Sequence, residues 1–322
     1  MTRSQSRFGW IGRHTPKGAG GGGREAAILD IAQDLLLREL RYERALDALV
    51  FKGGTALRKL YAGNQDRFSP DLDFSLAAPA SLETVVLELV GNIDGITIGP
   101  FRYGVGERRG KWSVTVMSQF NDGYAPPVEQ ARRLAAGLAR SGTARLGAHA
   151  GSRHIRTQPL PLLQVMRMEE NLAEKISRLN RTTTARDMYD LAWVAQHQGE
   201  LGGLDAVLIR RLAVLKIWVD ANGLTGANVR WKPGHEPRSF DPATWLRRRS
   251  TQEFDLDDIG ALAVPLPTQA ELAGAVGTRY AFLAELDADE RQLAATREQD
   301  RDLALRLLAD LPGKRLAHLG LC

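Results

Sequence analysis

The sequence predicts an α+β fold in which a small mixed sheet with flanking helices is followed by a mainly helical C-terminal half. Short segments of alternating apolar residues, separated by glycines, lie in the first half of the chain and indicate strands. From Val165 onward, apolar residues recur at helical spacing instead. We therefore expect three parts: a flexible, basic and glycine-rich leader over residues 1–24, a core over 25–160 and a helical domain over 161–322.

The predicted elements of the core follow one another at short intervals. The run Gly20–Gly23, preceded by basic residues, indicates a segment that is either a flexible leader or a contact to a phosphate backbone. Apolar periodicity then predicts a helix from 25 to about 49. The remaining predicted elements are a short helix over 55–61, a strand over 71–76, a helix over 81–90 with Ser81 as N-cap, and antiparallel strands at 96–98, 101–103 and 112–116.

The composition is that of an ordinary soluble globular protein, with 322 residues of which 43% are hydrophobic and 25% are charged. No apolar run approaches the roughly 20 residues that a membrane-spanning helix needs, so we expect no membrane contact. The one cysteine, Cys322, excludes an intramolecular disulfide and fits a cytoplasmic protein. The formal charge of +5 favours, modestly, polyanionic partners such as RNA.

The most informative stretch contains the segments 51–57 (FKGGTAL) and 67–74 (RFSPDLDF). The paired glycines let backbone N–H groups approach a phosphate, and the helix after them offers its positive N-terminal end. In a strand, Asp71 and Asp73 share a face, and two adjacent carboxylates repel each other unless a cation lies between them. Mg²⁺ binds one or two carboxylates together with substrate phosphates. The stretch therefore has the layout of a nucleotidyltransferase core with a divalent-metal site.

Two further residues of this stretch are candidate nucleotide contacts. Arg58 lies about one helical turn after Gly54, so it either faces the phosphates or has a structural role at the surface. Ser69 precedes Asp71 by two residues and should face the same site if the segment is extended. We count both among the candidate nucleotide-binding residues.

Two amphipathic helices are predicted in the second half of the chain. The first, over 169–179, has an apolar stripe that is flanked by Glu174 and Lys175. In the second, over 185–193, Asp187 and Asp190 are three residues apart and share a face. Charged residues on amphipathic helices are usually solvated, so these two helices alone indicate no function.

Four segments occur in order along the chain: 51–57 (FKGGTAL), 67–74 (RxSxDLDF), Glu174-Lys175 and 186–191 (RDxYDL). This series resembles the AbiE-type toxin nucleotidyltransferases. Those proteins are the toxin halves of type IV toxin–antitoxin and phage-defence pairs, and they are related to mycobacterial toxins that add nucleotides to tRNA. The resemblance covers about residues 25–200 and is weaker beyond them.

The resemblance implies a role for each matching residue. The paired glycines and the threonine after them resemble the turn that cradles a triphosphate, and the first two aspartates resemble a metal-binding pair. The lysine would contact a phosphate, and the first aspartate of the last segment would complete the site from the helical half. The nucleotide-binding residues that the resemblance implies are Gly53, Gly54 and Thr55, to which we add Arg58 and Ser69 from their positions in the sequence. The implied catalytic residues are Asp71, Asp73, Lys175 and Asp187, of which Asp71 and Asp73 bind the metal.

The base for the attacking hydroxyl is left open by the sequence. Polymerase-type nucleotidyltransferases take a third carboxylate from a later strand, but the candidate strand over 112–117 offers none. Asp187 is our substitute for this carboxylate, and Asp190 is its rival.

The implied reaction is attack of an acceptor hydroxyl on the α-phosphate of a nucleoside triphosphate, with Mg²⁺ or Mn²⁺ as cofactor and release of pyrophosphate. The resemblance favours an RNA acceptor, in particular the 3′ end of a tRNA, so that the protein would block translation and growth. The alternatives are a small-molecule acceptor, as in antibiotic-modifying nucleotidyltransferases, and a non-catalytic module that binds RNA or a partner protein. The resemblance also implies a cognate antitoxin, and the sequence leaves open whether it binds directly.

Overall fold

The chain divides into two compact units. The first comprises Met1–Met166 with Ala261–Val264 and His318–Gly320, and the second comprises Arg167–Gly260 and Pro265–Ala317 with Leu321–Cys322. The computed structural model of the protein describes residues 11, 14–15, 20–63, 67–77, 81–108, 111–118, 134–135, 152–153, 163–181, 184–201, 203–222, 240, 242, 259–262 and 265–312.

The first unit combines helices with two small sheets. Its elements are α1 (Gly20–Tyr42), β1 (Leu49–Lys52), α2 (Gly53–Leu57) with a π-helical continuation (Arg58–Ala62), β2 (Asp73–Leu76), α3 (Leu82–Ile93), β3 (Thr97–Ile98), β4 (Phe101–Arg108), β5 (Lys111–Ser118), β6 (Leu134–Ala135) and β7 (Ser152–Arg153).

In the described residues of the second unit, the regular secondary structure is helical. Its elements are α4 (Met168–Arg181), α5 (Ala185–Gln196), α6 (Ala206–Ala221), α7 (Gln269–Arg279), a 3₁₀ turn (Ala281–Ala284), α8 (Ala288–Leu293), a second 3₁₀ turn (Glu298–Asp300) and α9 (Arg301–Ala309). The predicted α+β fold with a mainly helical second half is confirmed. No helix of the described ranges is long and apolar enough to cross a membrane.

The two sheets differ in the number of their strands and in the directions of those strands. In the smaller sheet β1 pairs with β2 in antiparallel fashion, and Lys52 lies opposite Asp73. The larger sheet has the strand order β6-β5-β4-β3-β7, with β3 and β7 parallel and the other neighbours antiparallel. The antiparallel strands predicted at 96–98, 101–103 and 112–116 are therefore present, and the larger sheet is mixed.

Helix α1 packs into the core of the first unit. Its apolar residues, among them Ile31 and Leu35, belong to the same buried cluster as Phe51 of β1 and Tyr103 of β4. The Tyr103 hydroxyl also donates a hydrogen bond of 2.7 Å to the carbonyl of Ala32. Packing and this hydrogen bond fix the helix, so polar side chains on its buried face have defined positions.

The bounds of α1 differ from the prediction at both ends. The helix begins at Gly20, so the glycine run that was expected to be flexible forms its first turn. It ends at Tyr42 rather than near 49, because Arg44 adopts a left-handed conformation (φ 60°) that turns the chain toward β1. The basic residues expected to precede the run, at positions 3, 7, 13 and 17, lie outside the described residues.

The predicted amphipathic helices of the second unit are confirmed as α4 and α5. The apolar stripe of α4 is buried, with Leu172, Ile176 and Leu179 each at most 1% exposed. Helix α4 packs against α6. Its charged residues therefore lie on a helix that is held in place by a packed core.

Candidate active site

The turn between β1 and α2 places Gly53 directly against Asp73. Gly53 has φ +81°, a conformation that residues with a Cβ adopt only at a cost. A Cβ built on Gly53 would overlap Oδ2 of Asp73 and lie 3.0 Å from its Cβ. Glycine is therefore required here both by the backbone and by the neighbouring carboxylate. The structure brings the Gly-Gly turn and the second carboxylate of the predicted pair together.

The strand that contains the carboxylates is shorter than predicted. It begins at Asp73, because β1 has only four residues and its last one, Lys52, already pairs with Asp73. Asp71 thus precedes the ladder. Leu72 is buried whereas Asp71 and Asp73 are both half-buried, so the alternation typical of extended chain continues through Asp71.

Thr55 ties the carboxylate segment to α2. Its side chain is buried, and its hydroxyl donates a hydrogen bond to the backbone carbonyl of Asp71. The same hydroxyl lies 3.5 Å from the carbonyl oxygen of Ser69. The observed contacts of Thr55 therefore position the segment, while its predicted contact to a triphosphate stays a prediction, as does that of Gly54, which is buried in α2.

Arg58 is buried rather than placed at the surface. It is 2% exposed, and its Nε and Nη2 lie 3.2 and 3.3 Å from the two carboxylate oxygens of Asp30 on α1. Its Cζ lies 3.6 Å from the centroid of the Phe68 ring. These contacts are structural, and the predicted contact of Arg58 to a nucleotide stays a prediction.

Asp30 is the centre of a cluster that the sequence analysis did not find. Ligand atoms of His14, Asp30 and Asp34 all lie within 4.8 Å of one another, a spacing that could hold a metal ion. However, the ammonium of Lys59 lies 2.8 Å from Asp30 Oδ1 and 2.6 Å from Asp34 Oδ1. A lysine already neutralises the carboxylates, so the cluster is an ion-pair network.

The charge state of Asp30 follows from this network. Burial raises the pKa of its carboxyl group, but the hydrogen bond from His14 and the charges of Lys59 and Arg58 outweigh burial. Together they hold the pKa well below its usual range. Asp30 is therefore ionised at neutral pH, as its paired contacts to Arg58 require.

The second unit gathers Lys175, Asp187 and Asp190. The Lys175 ammonium lies 2.6 Å from Asp190 Oδ2 and 3.5 Å from Asp187 Oδ1. All three side chains are at most 2% exposed. Asp187 Oδ2 also accepts a hydrogen bond of 2.8 Å from the hydroxyl of Thr184 and lies 3.3 Å from Nε of Arg178. The prediction that Asp187 and Asp190 share a helix face is consistent with their common contact to Lys175.

Asp71 and Asp73 fit a divalent metal by their chemistry. Both supply hard carboxylate oxygens, both are half-buried, and Asp73 is held beside a turn of small residues. They remain the residues that could hold Mg²⁺ or Mn²⁺.

Lys52 is a further residue of the site that sequence reasoning missed. It lies directly opposite Asp73 in the β1–β2 ladder, and cross-strand neighbours project from the same face of a sheet. Its position immediately before the paired glycines was the available signal. That signal was insufficient, because only the register of the ladder relates Lys52 to Asp73.

Replacing Gly53 by alanine should lower both stability and metal affinity. The left-handed backbone alone costs about 1–2 kcal/mol for a residue with a Cβ, and the new methyl group would displace the Asp73 carboxylate. Gly63→Ala is the matched control, because Gly63 also has a positive φ, of +57°, but a Cβ there would meet no atom within 4 Å. Urea unfolding and Mn²⁺ titration by electron paramagnetic resonance measure the two effects. Equal loss of Mn²⁺ affinity in both variants would contradict the role of the Gly53–Asp73 contact.

Comparisons with known proteins relate the whole chain to one family. Residues 34–274 match the family model described as nucleotidyl transferase AbiEii toxin, type IV TA system. The solved structure of MenT4, a nucleotidyltransferase toxin from Mycobacterium tuberculosis H37Rv, is 34% identical, with 97% of this chain and 99% of that chain covered and a TM-score of 0.71. A putative nucleotidyltransferase from H. pylori is 16% identical, with 80% and 97% covered and a TM-score of 0.39. No curated protein matches the chain.

Proposed function

The chain is a member of the AbiEii family of nucleotidyltransferase toxins of type IV toxin–antitoxin systems, and from this premise we propose that it transfers a nucleotide to RNA. The donor is a nucleoside triphosphate, the cofactor is Mg²⁺ or Mn²⁺, and the acceptor is the 3′ end of a tRNA. Blocking that end prevents aminoacylation, and thereby stops translation and growth. The action takes place in the cytoplasm, where tRNA is used.

The observation that supports this proposal most directly is the approach of Gly53 to Asp73. A carboxylate held against a turn of small residues places a metal ligand beside backbone that carries no side chain, which is what a triphosphate–metal complex needs. A Cβ at position 53 would occupy the space of the carboxylate. This arrangement favours a catalytic site over a module that only binds RNA or protein.

The chemistry forms one bond and breaks one bond at the α-phosphate. The acceptor hydroxyl oxygen attacks phosphorus, the bond from the α-phosphorus to the bridging oxygen breaks, and pyrophosphate leaves with that oxygen. Asp71 and Asp73 would hold the divalent metal, which when bound would lower the pKa of the hydroxyl and neutralise phosphate charge. The Gly53-Gly54 backbone orients the triphosphate for in-line attack.

Lys175 and Asp187 are the residues of the second unit to which we assign a role in the reaction. Lys175 suits a phosphate contact because an ammonium group is a compact point charge. We assign the proton of the acceptor hydroxyl to Asp187 rather than to Asp190, because Asp190 makes the closer pair with Lys175, at 2.6 Å against 3.5 Å. Asp190 remains the rival base.

The acceptor is tested by incubating the pure protein with total RNA, Mg²⁺ and each labelled nucleoside triphosphate in turn. We expect one nucleotide to label RNA of tRNA length, and chelation of the metal to stop the labelling. Removing the 3′ end of the tRNA should prevent it. Label that enters a small molecule but no RNA would overturn the RNA acceptor and favour the antibiotic-type alternative.

Expression of the wild-type chain in a bacterium should arrest growth. Transfer to tRNA depletes the pool that translation requires, so protein synthesis should fall before growth stops. An Asp73→Asn variant, which keeps the size of the side chain but weakens its hold on the metal, should grow like the empty vector. Pulse labelling of new protein and culture density measure both effects. Growth arrest by the variant at equal expression would separate toxicity from nucleotide transfer.

The cognate antitoxin is the second proposed partner. The family pairs each toxin with an antitoxin, and direct binding between the two is a separate question. Two measurements distinguish inhibition by direct binding from inhibition without binding: co-purification of the two chains, and rescue of growth when they are co-expressed. Rescue with co-purification indicates direct binding, and rescue without it indicates inhibition by another route.

A further inference from the structure

Helix α1 places two buried polar side chains beneath the carboxylate segment, and the proposed chemistry uses neither of them. Asp30 is 5% exposed and Gln33 is 0% exposed. They are three residues apart and share a face of the helix. Burying polar groups is costly unless they are hydrogen-bonded, so their contacts indicate what they do. Both precede residue 34, where the match to the family model begins.

Gln33 holds the backbone of the carboxylate segment directly. Its Nε2 donates a hydrogen bond of 3.0 Å to the carbonyl of Ser69, two residues before Asp71. Thr55 donates to the carbonyl of Asp71 itself. Two buried donors from different helices therefore fix the carbonyl groups of Ser69 and Asp71 in the segment that leads into β2.

Asp30 acts on the same segment through Arg58. Two contacts, at 3.2 and 3.3 Å, join the two carboxylate oxygens of Asp30 to two nitrogens of the guanidinium group, and this pairing fixes its plane. The guanidinium then lies over the Phe68 ring at 3.6 Å. Phe68 is buried, and its backbone N–H donates a hydrogen bond of 2.9 Å to the carbonyl of Ala261. Both the ring and the backbone of Phe68 are therefore held in place.

We propose that Asp30 and Gln33 are positioning residues, which set the backbone of residues 68–71 and thereby the direction in which Asp71 and Asp73 present their carboxylates to the metal. Asp30 acts through the guanidinium plane of Arg58, and Gln33 acts through the carbonyl of Ser69. The inference rests on the proposed metal-binding role of Asp71 and Asp73. Groups behind metal ligands commonly change metal affinity or activity about 10- to 100-fold when they are removed.

The test measures Mn²⁺ affinity of the full chain, by electron paramagnetic resonance, in Gln33→Met and Arg58→Lys variants. Gln33→Met keeps the volume but removes the donor. Arg58→Lys keeps the charge that faces Asp30 but cannot lie flat on Phe68. We expect each to weaken Mn²⁺ binding about 10- to 100-fold, and to speed amide hydrogen exchange in the peptide containing residues 67–73. Wild-type Mn²⁺ affinity in Arg58→Lys would overturn the role of guanidinium stacking on Phe68, because only the positive charge would then matter.

Two control variants remove comparable contacts elsewhere. Gln164→Met removes a side-chain donor to the carbonyl of Asp47, at 2.9 Å, and Asp34→Asn weakens an ion pair with Lys59 without touching Arg58. Both should bind Mn²⁺ within twofold of wild type. Measurements are made well below the unfolding midpoint of each variant, so that affinity and not folding is compared.

The outcomes separate this inference from the proposed function. If wild type binds Mn²⁺ and labels RNA while Gln33→Met and Arg58→Lys bind Mn²⁺ as tightly as the controls, the positioning role is overturned and the proposed function stands. If wild type binds Mn²⁺ but labels no RNA, the proposed RNA acceptor is overturned, while the Mn²⁺ affinities of the variants still decide the positioning role. If wild type binds no Mn²⁺, both are overturned.

Discussion

Alanine at Asp71 or at Asp73 should abolish nucleotide transfer to RNA and leave the fold intact. A divalent metal held at this site would supply several kcal/mol of transition-state stabilisation, so losing either ligand should slow transfer by about 10³-fold or more. Both side chains are half-buried and two residues apart along an extended segment, so we expect removal of one to relieve repulsion in the absence of metal. Label transfer to RNA and thermal unfolding measure the two quantities.

Asp47→Ala is the matched control for these variants. Asp47 is a carboxylate of the same unit with 38% of its side chain exposed, and it pairs with Arg41 and Arg44 at 2.7 Å. The pair with Arg44 is exposed, and exposed ion pairs contribute about 0–1 kcal/mol, whereas the Arg41 side chain is 10% exposed. This variant should therefore lose a modest part of the stability and no activity. Full transfer by Asp71→Ala or Asp73→Ala would contradict the assignment of the metal site.

The parts of the fold that the sequence predicted are those with local signals. Alternation and glycine breaks identified β4 and β5, and the 3.6-residue period identified α4 through Leu172, Ile176 and Leu179. The candidate metal pair was proposed for the same reason, since Asp71 and Asp73 are two residues apart, and its role stays a prediction. Such patterns depend only on neighbours in the chain.

The parts that the sequence did not predict depend on pairing across long separations. Asp71 lies outside β2 because the partner strand ends at Lys52, and only the register determines this. Arg58 is buried because Asp30, 28 residues earlier, supplies a counter-charge in the core. Residue type alone favours a surface position for arginine, so neither its burial nor the network around it was predictable.

The burial of Lys175 was likewise not predictable from residue type, and it determines how the role of Lys175 must be tested. Replacing it by methionine would leave Asp187 and Asp190, which are at most 1% exposed, without the ammonium between them. Removing one partner of a buried ion pair typically costs about 3–5 kcal/mol. We therefore expect Lys175→Met to lose transfer and also to unfold at a much lower urea concentration, so loss of toxicity in this variant alone would not identify a catalytic role.

Combining Lys175→Met with Asp190→Asn separates the two effects. The double variant removes both charges of the closer pair, at 2.6 Å, and leaves Asp187 with its contacts to Thr184 and Arg178. We expect most of the lost free energy of unfolding to return, because no uncompensated buried charge remains at position 190. Transfer should stay lost, since no cation is restored for the phosphate. A stable double variant that transfers nucleotide at the wild-type rate would show that Lys175 serves the fold alone, because the reaction would then proceed without its charge.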